Sequence, residues 1–467
     1  MSLMIHNTLT NRKEEFIPIE KGKVKLYVCG VTVYDDIHMG HARSMIVFDM
    51  VTRYLRYCGY QVTHVTNFTD VDDKIIRRAN EEGLDALALS TRYIQRYFED
   101  VVKLGINKAD IYPKASESMD DIIQMVQEII DNGFGYVTPD GSVYFSIDKV
   151  KSYGRLTNQK LEDMESSGRI ASDENKKNPM DFAIWKAAKP DEISWESPWG
   201  KGRPGWHIEC SAMIRHYLGN KIDIHGGGND LIFPHHENEI LQTEAVTGEP
   251  LANYWMHNGM LQVKGEKMSK SLGNFFRVKD VAEKYDQHTI RFYFLNTHYM
   301  SPLVYGEETV DEAAGALKRL WNNYRELQSY AKNATDFQSI DKGDLIESSR
   351  KKFIDEMNDD FNTRGAIEVM FDIARTTNKA MADKTLSKKD TEQVISLMNE
   401  FDSILGILPD NNNSDETMDK VMNILIELRA ELRKRKAYDL ADLIRAKLTE
   451  AGIQLEDSAE GAKWKKI

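Results

Sequence analysis

Val24-Lys25-Leu26-Tyr27-Val28 is a short apolar run that ends at Cys29-Gly30, and a second run, Val62-Thr63-His64-Val65, follows it. Apolar residues between the two runs recur with the 3.6-residue period of a helix: Val47, Met50, Val51, Tyr54 and Cys58. Gly59 then ends this helix. A strand, a helix and a strand in this order predict a βαβ unit, whose strands lie parallel. The expected fold class is therefore α/β, with a doubly wound, Rossmann-like parallel sheet.

The length and composition of the chain indicate a multidomain globular protein. At 467 residues the chain is longer than one hydrophobic core usually supports, so we expect about three domains. Hydrophobic residues make up 41% and charged residues 29%, which excludes a disordered or membrane-embedded chain. Residues 1–16 are polar where a signal peptide needs an apolar stretch. We therefore expect a cytoplasmic protein without membrane contact.

The net charge of −13 argues against a protein that coats nucleic acid non-specifically, because such proteins neutralise phosphates with clustered lysine and arginine. A specific RNA partner needs only a local basic patch and stays open. The three cysteines, Cys29, Cys58 and Cys210, are too few for a disulfide framework. We expect them to be buried or to bind a metal.

Two short motifs stand far apart, each after a predicted strand: His38-Met39-Gly40-His41 and Lys267-Met268-Ser269-Lys270-Ser271. The first begins the helix of the βαβ unit, where backbone N–H groups and the helix dipole favour an anion. The second follows a predicted strand at 260–263, on a loop in which Gly265 and Gly273 permit movement. Together they predict chemistry at the α-phosphate of ATP.

The side chains of the two motifs suit the charge that develops on the phosphates as pyrophosphate leaves. His38 and His41 would donate hydrogen bonds to phosphate oxygens, and Lys267 and Lys270 would neutralise the pyrophosphate. The sequence contains no Walker-type phosphate loop. The alternative is a surface loop with scattered lysine and serine, together with two histidines that cap a helix.

A glycine-rich element, His225-Gly226-Gly227-Gly228-Asn229-Asp230, follows a predicted strand at 221–224 and precedes a helix. Its glycines, including Gly228, would let a nucleotide approach the backbone closely, and Asp230 could accept hydrogen bonds from ribose hydroxyls. In isolation the element would be only a tight turn. Its place after a strand favours ATP binding.

Four residues of the types that zinc accepts are Cys29, Cys210, His235 and Glu239. His235 and Glu239 stand four positions apart on a predicted helix and project from one face. The two cysteines are far apart in the chain, however, and no Cys-x-x-Cys motif occurs. Spacing alone favours two buried cysteines that act as small apolar residues, as it does for Cys58.

The predicted elements divide the chain into six segments. Residues 1–111 and 201–260 are the two halves of a catalytic domain, and 112–200 are a connective insertion between them. Residues 261–307 are a stem-contact region with the loop of the second motif. Residues 308–408 are an α-helical bundle, and 416–467 are a small C-terminal region. The parallel-strand pattern resumes after the insertion, and a linker rich in Pro and Asn precedes the last segment.

Longer runs of sequence point to a known family. They are 27–30 (Tyr-Val-Cys-Gly), 67–74 (Asn-Phe-Thr-Asp-Val-Asp-Asp-Lys), 205–211 (Gly-Trp-His-Ile-Glu-Cys-Ser), 233–239 (Phe-Pro-His-His-Glu-Asn-Glu) and 359–363 (Asp-Asp-Phe-Asn-Thr). With the two motifs, essentially the whole chain resembles the class I aminoacyl-tRNA synthetases, and among them the cysteinyl-tRNA synthetase family. Met39 stands where the family's first motif usually has Ile, a change of similar apolar volume that should not disturb the histidines.

The resemblance implies one zinc ion per chain, held by Cys29, Cys210, His235 and Glu239, and so reverses the preference from spacing. It also implies that the substrate's thiolate is a further ligand. Cysteine and serine differ by one atom, and zinc prefers the softer thiolate and lowers the pKa of the thiol that it binds. Four protein ligands normally form a closed structural site, so we expect Glu239 to be the most labile ligand.

Further roles follow from the same resemblance. Thr69, Trp206 and His207 would line the amino-acid pocket, with ordinary core packing as the alternative for each. The role of His225 stays open. The basic segment from Arg429 to Lys466 would form the anticodon-binding region, although a charge run is more often a solvated helix face. Trp464 would add a base-stacking surface there.

The activity implied is ligation of L-cysteine to tRNA(Cys) through a cysteinyl-adenylate, with ATP as a substrate that binds together with Mg²⁺. We expect the enzyme to be a monomer. One alternative is a related ligase that joins cysteine to a small amine in thiol-cofactor biosynthesis. The long C-terminal part argues against it, because a small acceptor does not require one. A second alternative is a zinc-holding RNA-binding regulator in which both ATP motifs are vestigial.

Overall fold

The structure, a computed structural model, describes residues 2–150, 153–157, 175–263, 266–267, 275–335, 343–409, 414–458 and 461–466. The chain divides into two compact units, Met1–Leu408 and Pro409–Ile467. Lys267 is described as part of a strand, whereas Lys270 and the rest of the second motif lie outside the described residues.

The first half of the catalytic region alternates strands and helices. Its elements are β1 (Met4–Asn7), β2 (Arg12–Glu15), β3 (Lys23–Thr32), α1 (Met39–Tyr57), β4 (Gln61–Thr69), α2 (Asp73–Glu82) and α3 (Ala86–Lys103). β3 and β4 pair in parallel, and Met50 of α1 shares a buried cluster with Leu26 of β3. Gly59, with a φ of 89°, turns the chain from α1 towards β4. The predicted βαβ unit is confirmed.

A small antiparallel sheet follows. Its elements are α4 (Met119–Asp131), β5 (Gly135–Val137), β6 (Val143–Phe145), β7 (Phe182–Ala187) and β8 (Gly202–Pro204), with strand order β5-β6-β7-β8. Ile122 of α4 packs with Phe145 and Trp185 of the strands in a buried cluster. Ile208 and Leu241 belong to the same cluster, so the small sheet packs against the segments that carry the predicted metal ligands.

The chain then returns to the parallel sheet through α5 (Trp206–Leu218), β9 (Ile222–Gly228), α6 (Glu237–Thr247) and β10 (Ala252–Asn258). The strand order is β10-β9-β3-β4, and all neighbours are parallel. Tyr27 of β3 lies opposite His225 of β9. The carboxyl ends of β3 and β9 are therefore adjacent where the strand order switches, which is where doubly wound folds bind ligands.

A short connecting region holds the chain that follows the second motif against the start of α1. Its elements are β11 (Leu261–Val263), β12 (Glu266–Lys267), α7 (Val278–Ala282), α8 (Gln287–Leu295) and β13 (Leu303–Tyr305). The backbone N–H of Met39 donates to the carbonyl of Phe276 at 3.0 Å, and that of Val278 donates to Ile37 at 3.0 Å. The chain just after the second motif is thus held at the start of α1.

Four long helices complete the first unit: α9 (Glu307–Asn333), α10 (Gly343–Asn358), α11 (Thr363–Ala382) and α12 (Lys388–Leu405). One buried cluster extends from the parallel sheet through α8 to Phe401 of α12. The buried guanidinium of Arg291 on α8 lies 2.6 Å from the Asp49 carboxylate of α1 and donates to the Leu405 carbonyl at 2.9 Å. A shared core therefore makes sheet and helices one unit.

The second unit contains α13 (Ser414–Lys434), α14 (Tyr438–Glu450), β14 (Ile453–Ser458) and β15 (Gly461–Lys466). The two strands pair antiparallel, with Leu455 opposite Trp464. Met422, Leu448 and Ile453 form a small cluster with Leu455, and Trp464 packs against it. Across the described part of both units, no helix combines the length and apolar composition that a membrane crossing requires.

Candidate active site

A cavity of about 570 Å³ opens at the carboxyl ends of β3 and β9. Residues predicted from separate patterns line it: Cys29, His38, His41, Trp206, Gly228 and Asp230. Residues that were predicted separately to bind a metal, phosphates and ribose therefore line the same cavity.

The four predicted zinc ligands converge at one edge of this cavity. Cys29 Sγ lies 3.8 Å from Cys210 Sγ and 3.5 Å from Glu239 Oε1. His235 Nε2 lies 3.5 Å from Cys210 Sγ and 3.0 Å from Glu239 Oε1. Neighbouring ligand atoms around a tetrahedral zinc ion are separated by roughly 3.3 to 3.8 Å, since the bonds are about 2.0 to 2.3 Å long. Three of the four distances fall in this range and the distance from His235 to Glu239 lies just below it, so the donor set and its spacing fit zinc.

Cys29 reaches the cluster because β3 is irregular at this point. The pairing of β3 with β4 shifts register between Val28 and Val31. A Cβ at Gly30 would lie 1.7 Å from the backbone oxygen of Asn67, and the Gly30 N–H donates to the Asn67 side chain at 2.9 Å. Because only glycine permits this approach, Gly30 fixes the direction in which Cys29 points.

The charges of the cluster suit a buried cation. A hydrogen bond from the Cys29 thiol lowers the pKa of Cys210 to about 6, and burial raises the pKa of Cys29 itself. Burial would lower the pKa of His235, but the Glu239 carboxylate and hydrogen bonds outweigh it and raise this pKa to about 10. The pKa of Glu239 falls well below its usual value, since its histidine neighbours outweigh burial. The negative charges of Cys210 and Glu239 thus lie beside one buried positive charge, that of protonated His235.

A second layer of histidines surrounds these ligands. His225 Nε2 lies 2.8 Å from Glu239 Oε2, and His236 Nε2 lies 3.3 Å from Cys29 Sγ. Both rings are buried, and together with Cys29 and Glu239 they form a second group whose ligand atoms lie within 4.8 Å of one another. The two groups overlap at Cys29 and Glu239.

The histidines of the first motif cap α1. His38 Nδ1 accepts from the backbone N–H groups of Gly40 at 3.0 Å and His41 at 3.3 Å, while His41 Nδ1 accepts from the His38 N–H at 3.3 Å. The two rings stack with centroids 3.7 Å apart. An imidazole that accepts at Nδ1 carries its proton at Nε2 when neutral, so both rings present Nε2–H donors beside the cavity.

The glycine-rich element has two uses. A Cβ at Gly226 would lie 2.3 Å from the Phe48 ring of α1, and one at Gly227 would lie 2.8 Å from the His236 ring. These two glycines therefore allow close packing behind the cavity. Gly228 and Asp230 line the cavity itself.

Of the predicted amino-acid pocket residues, Trp206 and His207 contact His235, whereas Thr69 contacts Glu209, the sequence neighbour of Cys210. Trp206 is 39% exposed, and its ring centroid lies 4.4 Å from that of His235. His207 Nδ1 lies 2.9 Å from His235 Nδ1. Thr69 is buried and donates its hydroxyl to Glu209 Oε2 at 3.0 Å, where burial raises the pKa of Glu209.

Two family profiles match the chain: the tRNA synthetases class I (C) catalytic domain over residues 15–315 and the DALR domain over residues 352–409. A Bacillus pumilus protein named cysteine–tRNA ligase is 47% identical over 468 residues, covering 100% of both sequences. The chain belongs to the cysteine–tRNA ligase family. A Shouchella clausii member is 48% identical over 465 residues, covering 99% of each. The resemblance drawn from the sequence is confirmed.

Solved tRNA synthetases share the fold of this cysteine–tRNA ligase family member. The Mycobacterium tuberculosis methionyl-tRNA synthetase in complex with methionyl-adenylate aligns with a TM-score of 0.59 at 16% identity, covering 82% of this chain and 90% of that one. A putative arginyl-tRNA synthetase from Campylobacter jejuni gives 0.58 at 15% identity, covering 84% and 94%. These likenesses confirm the doubly wound α/β architecture.

The structure adds residues that sequence reasoning missed in this member of the family. His236 and His257 lie in the second layer, and Glu209 holds Thr69. His236 and Glu209 are direct neighbours of predicted ligands in the sequence, which was an available signal. His257 stands at the end of β10 and could be found only from the sheet order.

Proposed function

We propose that the protein joins L-cysteine to tRNA(Cys) in two steps, as the names of its relatives indicate. The cysteine carboxylate attacks the α-phosphate of ATP to give cysteinyl-adenylate and pyrophosphate, and the terminal adenosine hydroxyl of tRNA then attacks the adenylate carbonyl. One observation carries the proposal: in a chain that matches cysteine–tRNA ligases over its full length, a zinc-type ligand set lies beside the cavity that holds His38 and His41.

Cys29, Cys210, His235 and Glu239 would hold zinc, which when bound supplies a soft Lewis acid that prefers a thiolate to a hydroxyl and lowers the pKa of a thiol. Trp206 covers the His235 edge of the site and so limits the space for a side chain there. His207 contacts the His235 ring from α5 and fixes its orientation. The Thr69 hydroxyl donates to Glu209 and accepts from the Asn67 side chain, and its remaining lone pair would accept from the ammonium group of the substrate.

We expect the Glu239 carboxylate to leave the metal when the substrate thiolate binds. Its second oxygen already accepts from His225 at 2.8 Å, so the carboxylate can turn away from the other ligands and keep a partner. A cysteine-bound structure tests this directly. Glu239 unmoved, with the substrate sulfur beyond bonding distance of the metal, would refute it.

His38 and His41 would donate from Nε2 to phosphate oxygens at the positive end of α1, and Lys267 and Lys270 would neutralise the departing pyrophosphate. Gly228 and Asp230 would receive the nucleotide, with Asp230 accepting from the ribose hydroxyls. Mg²⁺ accompanies ATP. The reactants bring their own nucleophiles, so these residues orient them and stabilise charge.

The C-terminal unit would bind the anticodon region of the tRNA. Its helices place Arg433 and Lys434 in the last turn of α13 and Lys447 in the last turn of α14. Such basic groups bind phosphates, and Trp464 on β15 would add a base-stacking surface. We infer a monomer that works in the cytoplasm, where the three substrates meet; light scattering checks the mass.

Cysteine-dependent pyrophosphate exchange, assayed with and without tRNA, tests the proposal. Exchange together with tRNA charging supports it. Exchange without charging indicates a ligase with a small amine acceptor, and the absence of exchange indicates a zinc-holding regulator.

A variant at the second motif tests the assigned roles. Lys270→Ala should depress adenylate formation far more than cysteine binding, because the charge acts on departing pyrophosphate. Lys318→Ala, on an exposed face of α9, is the matched control and should alter neither. Equal losses in both properties for Lys270→Ala would contradict the role.

A further inference from the structure

We propose that Thr8, His257 and His236 form a hydrogen-bonded chain that positions the Cys29 sulfur as a metal ligand. Thr8 Oγ1 lies 2.8 Å from His257 Nδ1. His257 Nε2 lies 2.8 Å from His236 Nδ1, and His236 Nε2 lies 3.3 Å from Cys29 Sγ. The chain runs from the turn after β1 to the candidate metal site. The inference rests on the zinc site of the proposed function and adds positioning residues to it.

The direction of the hydrogen bonds follows from the sulfur end. A cysteine that binds a metal is a thiolate, which can only accept, so His236 must donate from Nε2. A neutral imidazole that donates at one nitrogen accepts at the other, so His236 Nδ1 accepts from His257 Nε2–H. His257 Nδ1 then accepts from the hydroxyl of Thr8. The thiolate therefore sets the protonated nitrogen of both rings, and the Thr8 hydroxyl completes the series as the donor to His257.

The structure fixes each member of this chain. The Thr8 N–H donates to the Trp255 carbonyl at 2.9 Å, which anchors the turn to β10. His257 is buried on β10, and burial lowers its pKa to about 3, so this middle ring is neutral at working pH. Gly227 leaves space for the His236 ring, since a Cβ there would lie 2.8 Å from it.

The other possibility is that His236 is itself a metal ligand, in the group with Cys29, His225 and Glu239. A ligating Nε2 must present a lone pair, so the His236 proton would move to Nδ1 and both later hydrogen bonds would reverse. Thr8 would then accept instead of donate. The protonated nitrogen of His236 therefore distinguishes positioning from ligation.

The first test is spectroscopic and uses the zinc-loaded full-length protein. Long-range ¹H–¹⁵N spectra of histidine-labelled protein report which ring nitrogen carries the proton. We expect His236 and His257 to be protonated at Nε2. Protonation of His236 at Nδ1 would overturn the proposal without any variant, so the test does not depend on a mutant that folds.

The second test removes the terminal hydroxyl. Thr8→Val keeps the side-chain shape and should weaken zinc binding about tenfold, as loss of an outer-layer partner does elsewhere. Thr8→Ser should restore binding. Thr10→Val is the control, because the exposed Thr10 hydroxyl lies in the same turn but donates to the Asn7 carbonyl and not to either histidine. Competition against a chromophoric chelator measures the affinity of each protein for zinc.

Substrate kinetics complete the test. The KM for cysteine should rise in Thr8→Val while the KM for ATP stays unchanged, because only the metal side of the cavity is altered. If Thr8→Val bound zinc as tightly as the wild type, the proposed hydrogen-bonded chain would be wrong, but the metal assignment would stand. A wild-type protein that takes up no zinc would overturn the metal assignment and the chain with it.

Discussion

Replacing His64 with glutamine should make the free energy of unfolding less sensitive to acid. His64 lies on β4 and lines the inner wall of the catalytic cavity. Burial lowers the pKa of its imidazole to about 4; the carboxylates of Asp110 and Asp49 oppose this effect and the charge of Arg56 adds to it. In the unfolded chain a histidine has a pKa of about 6.5.

The sign follows from proton binding by the two states. Above about pH 6.5 the ring is neutral in both states, and pH has no effect through it. Between about pH 6.5 and pH 4 the unfolded chain binds a proton that the folded chain does not, so stability is lost as the pH falls. From pH 7.5 to pH 5 this loss is about 2 kcal/mol, since each pH unit in this window corresponds to about 1.4 kcal/mol.

Urea denaturation of the full chain at both pH values, followed by circular dichroism, measures the effect. The decrease in the free energy of unfolding on acidification should be about 2 kcal/mol smaller in His64→Gln than in the wild type. His216→Gln, at a half-exposed position of α5, is the control and should change little. Other buried histidines are common to all three proteins and cancel. Equal acid sensitivity of His64→Gln and wild type would refute the reasoning.

Four further predictions concern the site and the core. Gly30→Ala should lower zinc occupancy, measured by atomic absorption, because its Cβ would meet backbone 1.7 Å away and displace the neighbouring ligand. Arg291→Met should cost about 3 kcal/mol in urea denaturation, the lower end for a broken buried ion pair, since Arg53 still pairs with Asp49. Thr69→Val should raise the KM for cysteine and leave that for ATP unchanged. Zinc chelation should increase hydrogen exchange within Met1–Leu408 and leave the C-terminal unit unchanged, because all four ligands belong to the first unit.

Controls sharpen these outcomes. Gly133→Ala, at a loop glycine with open space around it, should retain full zinc occupancy. Because the φ of Gly133 is 79°, a region that alanine rarely adopts, we expect a small loss of stability. Thr69→Ser keeps the hydroxyl and should restore the KM for cysteine. Exchange that increases equally in both units after chelation would contradict a metal confined to the first.

The parallel sheet could be predicted because its signals are local. Strand, helix and strand follow one another between Val24 and Val65, and the cap of α1 is formed by the same His38 and His41 that the motif singles out. The sequence predicted a nucleotide-binding role for the glycine-rich element but not the packing role of Gly226 and Gly227, because their packing partners come from other segments. Periodicity cannot report such contacts.

The proposed metal site could not be predicted from local signals. Spacing favoured apolar burial of Cys29 and Cys210, and only the family resemblance reversed that preference. The reason is structural: the strand order β10-β9-β3-β4 brings together β3 and β9, which are distant in the sequence. The outer histidine His257 depends on the same strand order, so no short sequence window contains its partners.

The positions of the proposed zinc ligands determine how the proposed site would distinguish cysteine from serine. Packing around a side chain that differs by one atom separates substrates by only about 1–3 kcal/mol, so in the proposed mechanism the discrimination comes from the bond to the metal. That bond depends on where the four ligands are held. The proposed ligands come from an irregular strand (Cys29), a helix (Cys210), a short π-helical segment (His235) and the first turn of another helix (Glu239). Because these elements meet only in the folded first unit, the proposed recognition of a thiol depends on the assembled sheet, and we expect it to be lost when any one of the elements shifts.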